Sequence, residues 1–594
     1  MLLTRLVEYA RTDPTVPPAF YASKLLRWIV ELNEDGSLAS PHLTDLADPT
    51  ERARRHGVPH LVPTIQRSGV APQPMLAVDT AEYALGWSTD ESRATKSARY
   101  HAAFGDLALR WHESDNSPES SALRGFLVGQ HGNAFVRPAE LAGNHLVAFR
   151  VAGRFLHANA GAQRFWADEA ERRKGSTREG LCLVCGQSGR LLQTIPHQLP
   201  TRLVPGAKQN ASLVSLNKTV HGFNLQDQLV HVPICTSCGL QSMTALENLL
   251  AGETSTAYPG QDTRLTWWVT ENAKFDLRVL DEPTPEDVAI MVGSATRGEP
   301  NHIDDLSTFC SLAIGGNVAR VVVREWIEQP LPRIRANLGK WFDDHQMIDM
   351  WTGLPQYVGA WKLAQAAGRW IPGRGEDNGS YVRFGATGAD RPDDVYRRLL
   401  ASALLSKTLP PRLLAHIVHR VRTDGRIDTA RAALIRLALR RQPGISNPED
   451  YMPVLNPENN QPAYLAGRIF AVLADLQYQA NRARGGQPLN TTFGDRYFSR
   501  AVTSPAVALV TGRRTARAWL RVLRPRNPAA THAIEARMDD LFDQLALAGG
   551  MPHGTVLAEK SAFILGYHQE RAAARAQRTK NAKATNPDTD GEPA

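Results

Sequence analysis

Pro410-Pro411-Arg412-Leu413-Leu414-Ala415-His416-Ile417-Val418-His419-Arg420-Val421 opens the part of the chain in which the fold is easiest to read. The two prolines sit where a helix can begin, because its first turn does not need their missing amide hydrogens. Leu413, Leu414, Ile417, Val418 and Val421 then recur at helical spacing and make one apolar face. The spacing returns in Leu465, Ile469, Val472, Leu473 and Leu476, and again in Ile534, Met538, Leu541, Phe542 and Leu545. Such stripes are bundle core, so residues 386–571 are expected to form a C-terminal helical bundle. From about Ala572 the chain turns polar and ends in Asn586-Pro587-Asp588, which reads as a disordered tail over 572–594.

Upstream the pattern is mixed. An opening helix runs through Ala10, Trp28-Ile29-Val30-Glu31-Leu32 reads as a strand, and a Pro-rich stretch follows from Pro59 to Pro74. Ser92 to His112, with Tyr100, Ala103, Phe104, Leu107 and Trp111 at helical spacing, reads as an amphipathic helix, and Asn144 to Leu156 alternates like a strand. Residues 1–174 are therefore expected as an α+β region. Residues 175–270 hold two cysteine pairs and short strands ending at Leu265-Thr266-Trp267-Trp268-Val269, a zinc-ribbon-like β-rich insert. Residues 271–385 are again mixed α/β, with a strand at Ala319–Trp326 and a linker at Gly375-Glu376-Asp377-Asn378-Gly379. The fold class is α+β and multidomain, as 594 residues require.

Hydrophobic residues make up 42% and charged residues 22%, the balance of a folded soluble chain. The net charge is +8, with 56 Arg against 12 Lys. Arg presents a planar fork that grips phosphate in two places, so this bias suits nucleic acid, although base composition of the coding sequence produces the same bias. The N-terminus meets charge at Arg5, too early for a signal peptide, and no run of 18 apolar residues occurs, so a cytoplasmic location with no membrane contact is expected.

Cys182-Leu183-Val184-Cys185-Gly186 and Cys235-Thr236-Ser237-Cys238-Gly239 are two CxxCG knuckles. Each puts two thiolates on one side of a tight turn, and together they supply four sulfurs for a tetrahedral Zn2+. Four protein ligands leave no open position for water, so the expected metal role is structural. A deaminase reading fails: Ile234 separates Pro233 from Cys235, and neither His197 nor His112 begins an H-x-E.

No phosphate-binding G-x-x-x-x-G-K-[ST] loop, G-x-S-x-G elbow or H-E-x-x-H helix occurs, so no enzyme is expected. His416 and His419 fall on the polar side of their helix, and Cys310 reads as an inert core residue. What remains is binding. Arg513, Arg514, Arg517, Arg521 and Arg524 form a basic stripe with Trp519, Leu520 and Leu523 as its buried side. Arg412, Arg420, Arg422, Arg426, Arg431, Arg436, Arg440 and Arg441 crowd the preceding helical region. Such stripes are either solvated faces or sequence-independent grips on phosphate.

Several blocks, in order, resemble one family. They are Ile65-Gln66-Arg67-Ser68-Gly69-Val70-Ala71-Pro72-Gln73 with Glu82-Tyr83-Ala84-Leu85-Gly86; Ala211–Asn217; Gly316-Asn317-Val318-Ala319-Arg320 before Trp326; Asn459–Arg468; Asp495-Arg496-Tyr497-Phe498; and Phe563–Arg571. The family is the large subunit of type I-C (Dvulg subtype) CRISPR Cascade. The resemblance implies a non-enzymatic subunit that joins backbone subunits loaded with crRNA, beside the subunit holding the crRNA handle. It implies reading of the PAM in double-stranded DNA, help in opening the R-loop, and recruitment of a helicase-nuclease. It also implies that the C-terminal helices can be made separately as a small subunit, from about residue 452, where Met452 offers a start.

Carried onto this chain, the resemblance puts the PAM-facing loop at Arg67-Ser68-Gly69 through Gln73, where Gly69 lets backbone approach DNA and Gln73 offers donor and acceptor to a base edge. The same stretch also reads as a surface turn between strands. Gly206-Ala207-Lys208-Gln209-Asn210, on a loop between the knuckles, is a second candidate, with Lys208 on phosphate and Asn210 beside it. Arg513, Arg517 and Arg521 complete the expected DNA contacts. The family does not reliably keep all four cysteines, so the zinc expectation rests on spacing alone. Two other readings stay open: a free-standing zinc-ribbon regulator of nucleic acid, and a zinc-dependent nuclease.

Overall fold

The fold is described from a computed structural model. It describes residues 2–585 apart from 49, 53, 66, 68–70, 89–90, 130–135, 175–177, 196, 217, 227, 258–261, 272–274, 297–306, 350–351, 353, 374–378, 444–446 and 487–488. Ser68, Gly69 and most of the 375–379 linker thus lie outside the described residues. The chain is mixed α+β and forms two compact units. One comprises Met1–Ala257, Asp262–Trp267 and Ser311–Trp326, and the other Tyr258–Gln261, Trp268–Cys310 and Ile327–Ala594.

The first unit is built on a five-stranded sheet. Its strands are β2 (Trp28–Leu32), β3 (Thr44–Asp45), β5 (Val78–Thr80), β6 (Leu146–Val151) and β7 (Arg154–Phe155), in the order β3-β2-β6-β5 with β7 also on β6. The β2–β6 pair is parallel, from Trp28↔Val147 to Leu32↔Val151. Four of the five β2 residues are buried, which its aromatic and β-branched composition allows without alternation. Over the sheet lie α2 (Ala94–Ser114) and α3 (Pro118–Val128), whose Phe104 and Phe126 meet Phe149 of β6 at ring distances of 6.0 and 5.2 Å. The helix α4 (Ala160–Lys174) adds Trp166, whose indole N–H donates to the Phe20 carbonyl at 2.9 Å. Strands β1 (Tyr21–Leu26) and β4 (Val58–Pro63) form a separate antiparallel ribbon, in register from Tyr21↔Pro63 to Leu26↔Val58.

The cysteine-bearing stretch is less purely β than its glycines and short strands suggest. It contains the hairpin β8 (Glu179–Leu181) and β9 (Ser188–Arg190), then β10 (Ala207–Ser212), β11 (Ser255–Ala257) and β12 (Arg264–Val269). It also contains a sixteen-residue helix, α5 (Thr236–Ala251), which starts at the second cysteine pair and buries Leu240, Met243, Leu246 and Leu250. A four-stranded sheet takes the order β10-β13-β12-β11, where β13 is the long strand Thr308–Pro330. The opening helix α1 (Leu2–Thr12) packs against α5, and Tyr9 donates to Asn248 at 3.1 Å.

The second unit is mainly helical: α6 (Leu331–His345), α7 (Val395–Leu405), α8 (Pro411–Asp424), α9 (Thr429–Arg441), α10 (Pro462–Ala483), α11 (Phe493–Thr503), α12 (Pro505–Leu523), α13 (Pro528–Leu547) and α14 (Leu557–Thr585). Leu413, Leu414, Ile417, Val418 and Val421 are all buried, and Pro411 occupies the first turn of α8, as the sequence dictates. At its centre α10 packs against α14, α12 and α13. The α10–α14 crossing is close because of two glycines. A β-carbon on Gly467 would stand 2.1 Å from the Phe563 carbonyl oxygen, and one on Gly566 would stand 2.4 Å from that of Tyr464. Residues on both sides of 385 share this unit: the Tyr396 hydroxyl donates to Asp281, whose carboxylate also accepts the Trp361 amide. α14 continues to Thr585, past the point at which composition turns polar.

Candidate metal centre and nucleic-acid surfaces

The two knuckles meet. The sulfurs of Cys182, Cys185, Cys235 and Cys238 all lie within 4.8 Å of one another, and those of Cys185 and Cys235 are 3.9 Å apart. A tetrahedron with Zn–S bonds of about 2.3 Å requires sulfurs about 3.8 Å apart, so the four side chains are spaced to hold a metal ion. Local backbone aims them. Gly186 takes a φ of 71° and its amide closes the first turn on the Cys182 carbonyl at 2.9 Å. The Cys182 sulfur accepts amide hydrogens from Val184 at 3.4 Å and Cys235 at 3.3 Å, and the Cys235 sulfur caps α5 by accepting the Cys238 amide at 3.5 Å.

Donors aimed at sulfur favour thiolate. The hydrogen bond from Cys238 pulls the Cys235 thiol down to about 5, against burial, while sharing that proton pushes Cys238 up. Val7 and Leu3 of α1, with Ile234 and Val232, close an apolar shell around the cysteines. Among the described residues this is the one group of three or more His, Cys, Asp or Glu placed to hold a metal. The full sulfur set leaves no protein-side vacancy for an activated water.

Arg67 is tied down. Its Nη2 meets both oxygens of the fully buried Asp79 at 2.5 and 2.6 Å, its Nε donates to the Gln73 carbonyl at 2.9 Å, and its guanidinium lies 4.3 Å from the Tyr83 ring centre. Asp79 also accepts the amides of Met75 at 2.8 Å and Thr80 at 2.7 Å. Gln73 is half-buried, and its amide points to the Tyr83 hydroxyl at 3.3 Å. On the next residue Arg173 donates to the Pro74 carbonyl at 2.7 Å. Arg67 therefore fastens the two feet of its loop together, a function the sequence reading missed. Its signal was Asp79, a lone carboxylate closing the apolar run Met75–Val78.

Lys208 and Asn210 lie on β10 rather than on a loop, and both are exposed. β10 runs parallel to β13, pairing at Ala207↔Val318 and Ser212↔Arg320, with an irregular register between them. That irregularity leaves Lys208, Gln209 and Asn210 all facing solvent, which a regular strand would not do.

The arginines of the helical unit divide sharply. Arg431 is fully buried: it pairs with Asp424 at 2.6 Å and donates to the carbonyls of Ala366, Gly368 and Arg426 at 3.0, 2.7 and 2.9 Å. Arg420 pairs with Asp424 and Asp390, Arg436 donates to the Tyr451 and Asp343 carbonyls, and Arg440 and Arg441 share Asp344. These side chains hold helices together. His416 points its Nε2 at the Ala367 and Asp390 carbonyls, 3.0 and 3.1 Å away.

On α12 the arrangement is the reverse. Arg513, Arg514, Arg517, Arg521 and Arg524 are exposed, while Leu520 and Leu523 are buried and Trp519 sits half-buried, edge-on to Phe493. Arg513 stacks on Phe542 at 4.6 Å and Arg524 pairs with Glu535 at 2.6 Å. Arg514, Arg517 and Arg521 have no carboxylate partner among the described residues. Spaced three and four apart, they fall on one face. An open depression beside them is lined by Arg517, Leu520, Arg521, Arg524, Pro525 and Glu535.

No described helix is long and apolar enough to cross a membrane. A family of CRISPR-associated proteins, Cas_Csd1, matches residues 3–575. No curated protein matches the sequence.

Proposed function

The chain belongs to the Cas_Csd1 family of CRISPR-associated proteins and so has a Cascade large-subunit role, and from that premise we propose that it is the non-catalytic large subunit of a type I-C surveillance complex. In this reading it recognises the PAM in double-stranded DNA, assists crRNA-guided opening of the R-loop, and recruits the helicase-nuclease. Its partners are the crRNA-loaded backbone subunits and the subunit that binds the crRNA handle. The observation that carries the reading beyond the family is the α12 face, where Arg514, Arg517 and Arg521 stand exposed without carboxylate partners among the described residues. Unneutralised arginines in a row suit a phosphate backbone and give grip without sequence preference, which is the division of labour expected when guide pairing reads the sequence.

Sequence-dependent contact falls to the region of Arg67–Gln73, with Arg67 as the fastening that presents it, and Lys208, with Asn210 beside it, contacts phosphate. The four cysteines hold one structural Zn2+ that ties α1, the β8–β9 hairpin and α5 into one body. Zinc analysis of the purified chain is expected to give about one ion per molecule, and a metal-free but fully folded preparation would remove the metal from the account.

The deciding experiment measures duplex binding by the chain alone and with crRNA-loaded backbone and handle-binding subunits, on targets that differ only beside the protospacer. Tight binding that needs the full mixture and responds to the flanking bases is the expected result. Equal binding by the chain alone, whatever the flank, would hand the case to a free-standing zinc-ribbon regulator. Metal-dependent cleavage by the isolated chain would overturn both.

A further inference from the structure

Between Leu216 and Val232 the described residues fold back on themselves. The Gln228 amide donates to the Leu216 carbonyl at 2.6 Å, and the Leu225 and Gln226 amides return to the Gly222 and Phe223 carbonyls at 3.1 and 3.2 Å. Gly222 has no room for a β-carbon, which would stand 1.6 Å from the Gln226 carbonyl oxygen. Asn224, Leu225 and Gln228 hold φ values of 52°, 54° and 58°. Asparagine tolerates this left-handed region, but leucine and glutamine occupy it at a cost and stay there only when the surroundings impose it.

The consequence is a tightly turned tip with its apolar side chains outward. Val220, Phe223 and Leu225 are 70, 76 and 70% exposed. Single apolar residues on a surface need no explanation, whereas three large ones on one strained turn mark a contact site. The tip is anchored close to the cysteine centre: the Leu229 amide donates to the Gln193 carbonyl at 3.2 Å, and Pro233, just beyond, accepts the Leu183 amide at 2.9 Å.

Charge tells which kind of partner covers it. From Thr219 to Gln226 the tip carries no Lys, Arg, Asp or Glu. A nucleic-acid face needs cations to replace counterions on phosphate, and these residues supply none. Apolar anchors on a pre-organised turn that carries no charged side chain of its own suit a pocket in another protein. We propose that the Lys218–Gln226 tip is a docking element that inserts Phe223 and Leu225 into an apolar cleft of another protein subunit of the same complex. The proposal rests on the Cascade reading.

The test uses the full-length chain carrying Phe223→Ser with Leu225→Ser, and separately Val220→Glu, titrated into crRNA-loaded backbone and handle-binding subunits and followed by native mass spectrometry. Incorporation is expected to weaken by about tenfold or more in both variants, since a few central anchors dominate such interfaces. The loss should be nearly the same at low and high salt. Melting temperature and duplex affinity of the isolated chain should stay at the wild-type values. Wild-type incorporation by both variants would overturn the proposal. So would intact assembly with lost duplex binding, which would make the tip a nucleic-acid wedge. If the wild-type chain itself does not join the subunits, the Cascade reading falls and this proposal with it.

Discussion

Arg431 on α9 and Arg517 on α12 belong to neighbourhoods that look alike in sequence: helical, basic and leucine-rich. In space one is fully buried among carbonyls and the Asp424 carboxylate, and the other is exposed with no acidic partner among the described residues. The difference follows from what each helix packs against. α9 carries Arg431 to the carbonyls of Ala366 and Gly368, and a guanidinium with five donors satisfies several acceptors at once. α12 buries the side that carries Leu509, Gly512, Ala516, Leu520 and Leu523, and on its exposed side Glu535 pairs with Arg524 and with none of Arg514, Arg517 and Arg521 among the described residues. Arginine count alone therefore says nothing about nucleic acid; arginines without carboxylates or carbonyls do.

The largest effect that can break this comparison is at Arg431. Arg431→Met removes the charge, keeps much of the volume, leaves Asp424 to Arg420 and the Trp370 amide, and strands the carbonyls of Ala366, Gly368 and Arg426. Each buried acceptor left unsatisfied costs about 1–3 kcal/mol, so urea unfolding should show the helical unit losing a large share of its stability. The folded fraction should bind DNA as the wild type does. A loss under about 1 kcal/mol would mean that water replaces the guanidinium and that the buried group is not structural.

An intermediate effect comes from acid. Glu169 on α4 gathers Arg110, Arg172 and Arg173. Burial alone would raise its carboxyl, but hydrogen bonds from Arg110, Arg173 and Arg172, with the charge of Arg173, bring it down from 4.5 to about 2. A depressed carboxyl contributes stability that is fully present above its unfolded value near 4.5 and is lost as pH falls toward 2. The contribution is about 1–3 kcal/mol, toward the lower end because Arg110 and Arg172 are half exposed. Thermal melts between pH 6 and 2.5 should show Glu169→Gln losing less stability on acidification than the wild type. Parallel curves would show that the three arginines do not act through this carboxylate.

Legibility in the sequence follows the range of the interaction. Leu413, Ile417, Val421 and their counterparts on α10 and α13 were readable because helical spacing is local, and nearly all are buried. The cysteine pairs were readable because each knuckle is closed within five residues. The helix α5 was hidden by that same signal: glycines and short strands around the knuckles drew attention from Leu240, Met243, Leu246 and Leu250, whose spacing was helical all along. The role of Arg67 was not readable, because its partner Asp79 stands twelve residues away and becomes one only when β5 enters the sheet. Nor was the fate of Arg431 and Arg436, whose acceptors are backbone carbonyls up to 93 residues distant and carry no residue signature. The apolar tip at Phe223 was passed over because nothing local says that a hydrophobic side chain will face outward.

The smallest effect on stability should come from α12, and it is the one that sharpens the comparison most. Arg517→Gln with Arg521→Gln keeps length and helix propensity and removes two exposed charges, so stability should change by no more than about 0.5 kcal/mol. What should change is the dependence of DNA affinity on salt. Each phosphate contact contributes about 0.9 to the slope of log affinity against log salt for duplex, and about 0.7 for a single strand. If both arginines grip phosphate, the double variant should flatten the slope by roughly 1.8 on duplex or 1.4 on single-stranded DNA. The loss should be alike for every sequence, because a contact to phosphate reads no base. A slope equal to the wild type's would mean that the exposed face of α12 is only solvated. In that case exposure without a partner would be no better a guide to DNA contact than arginine count.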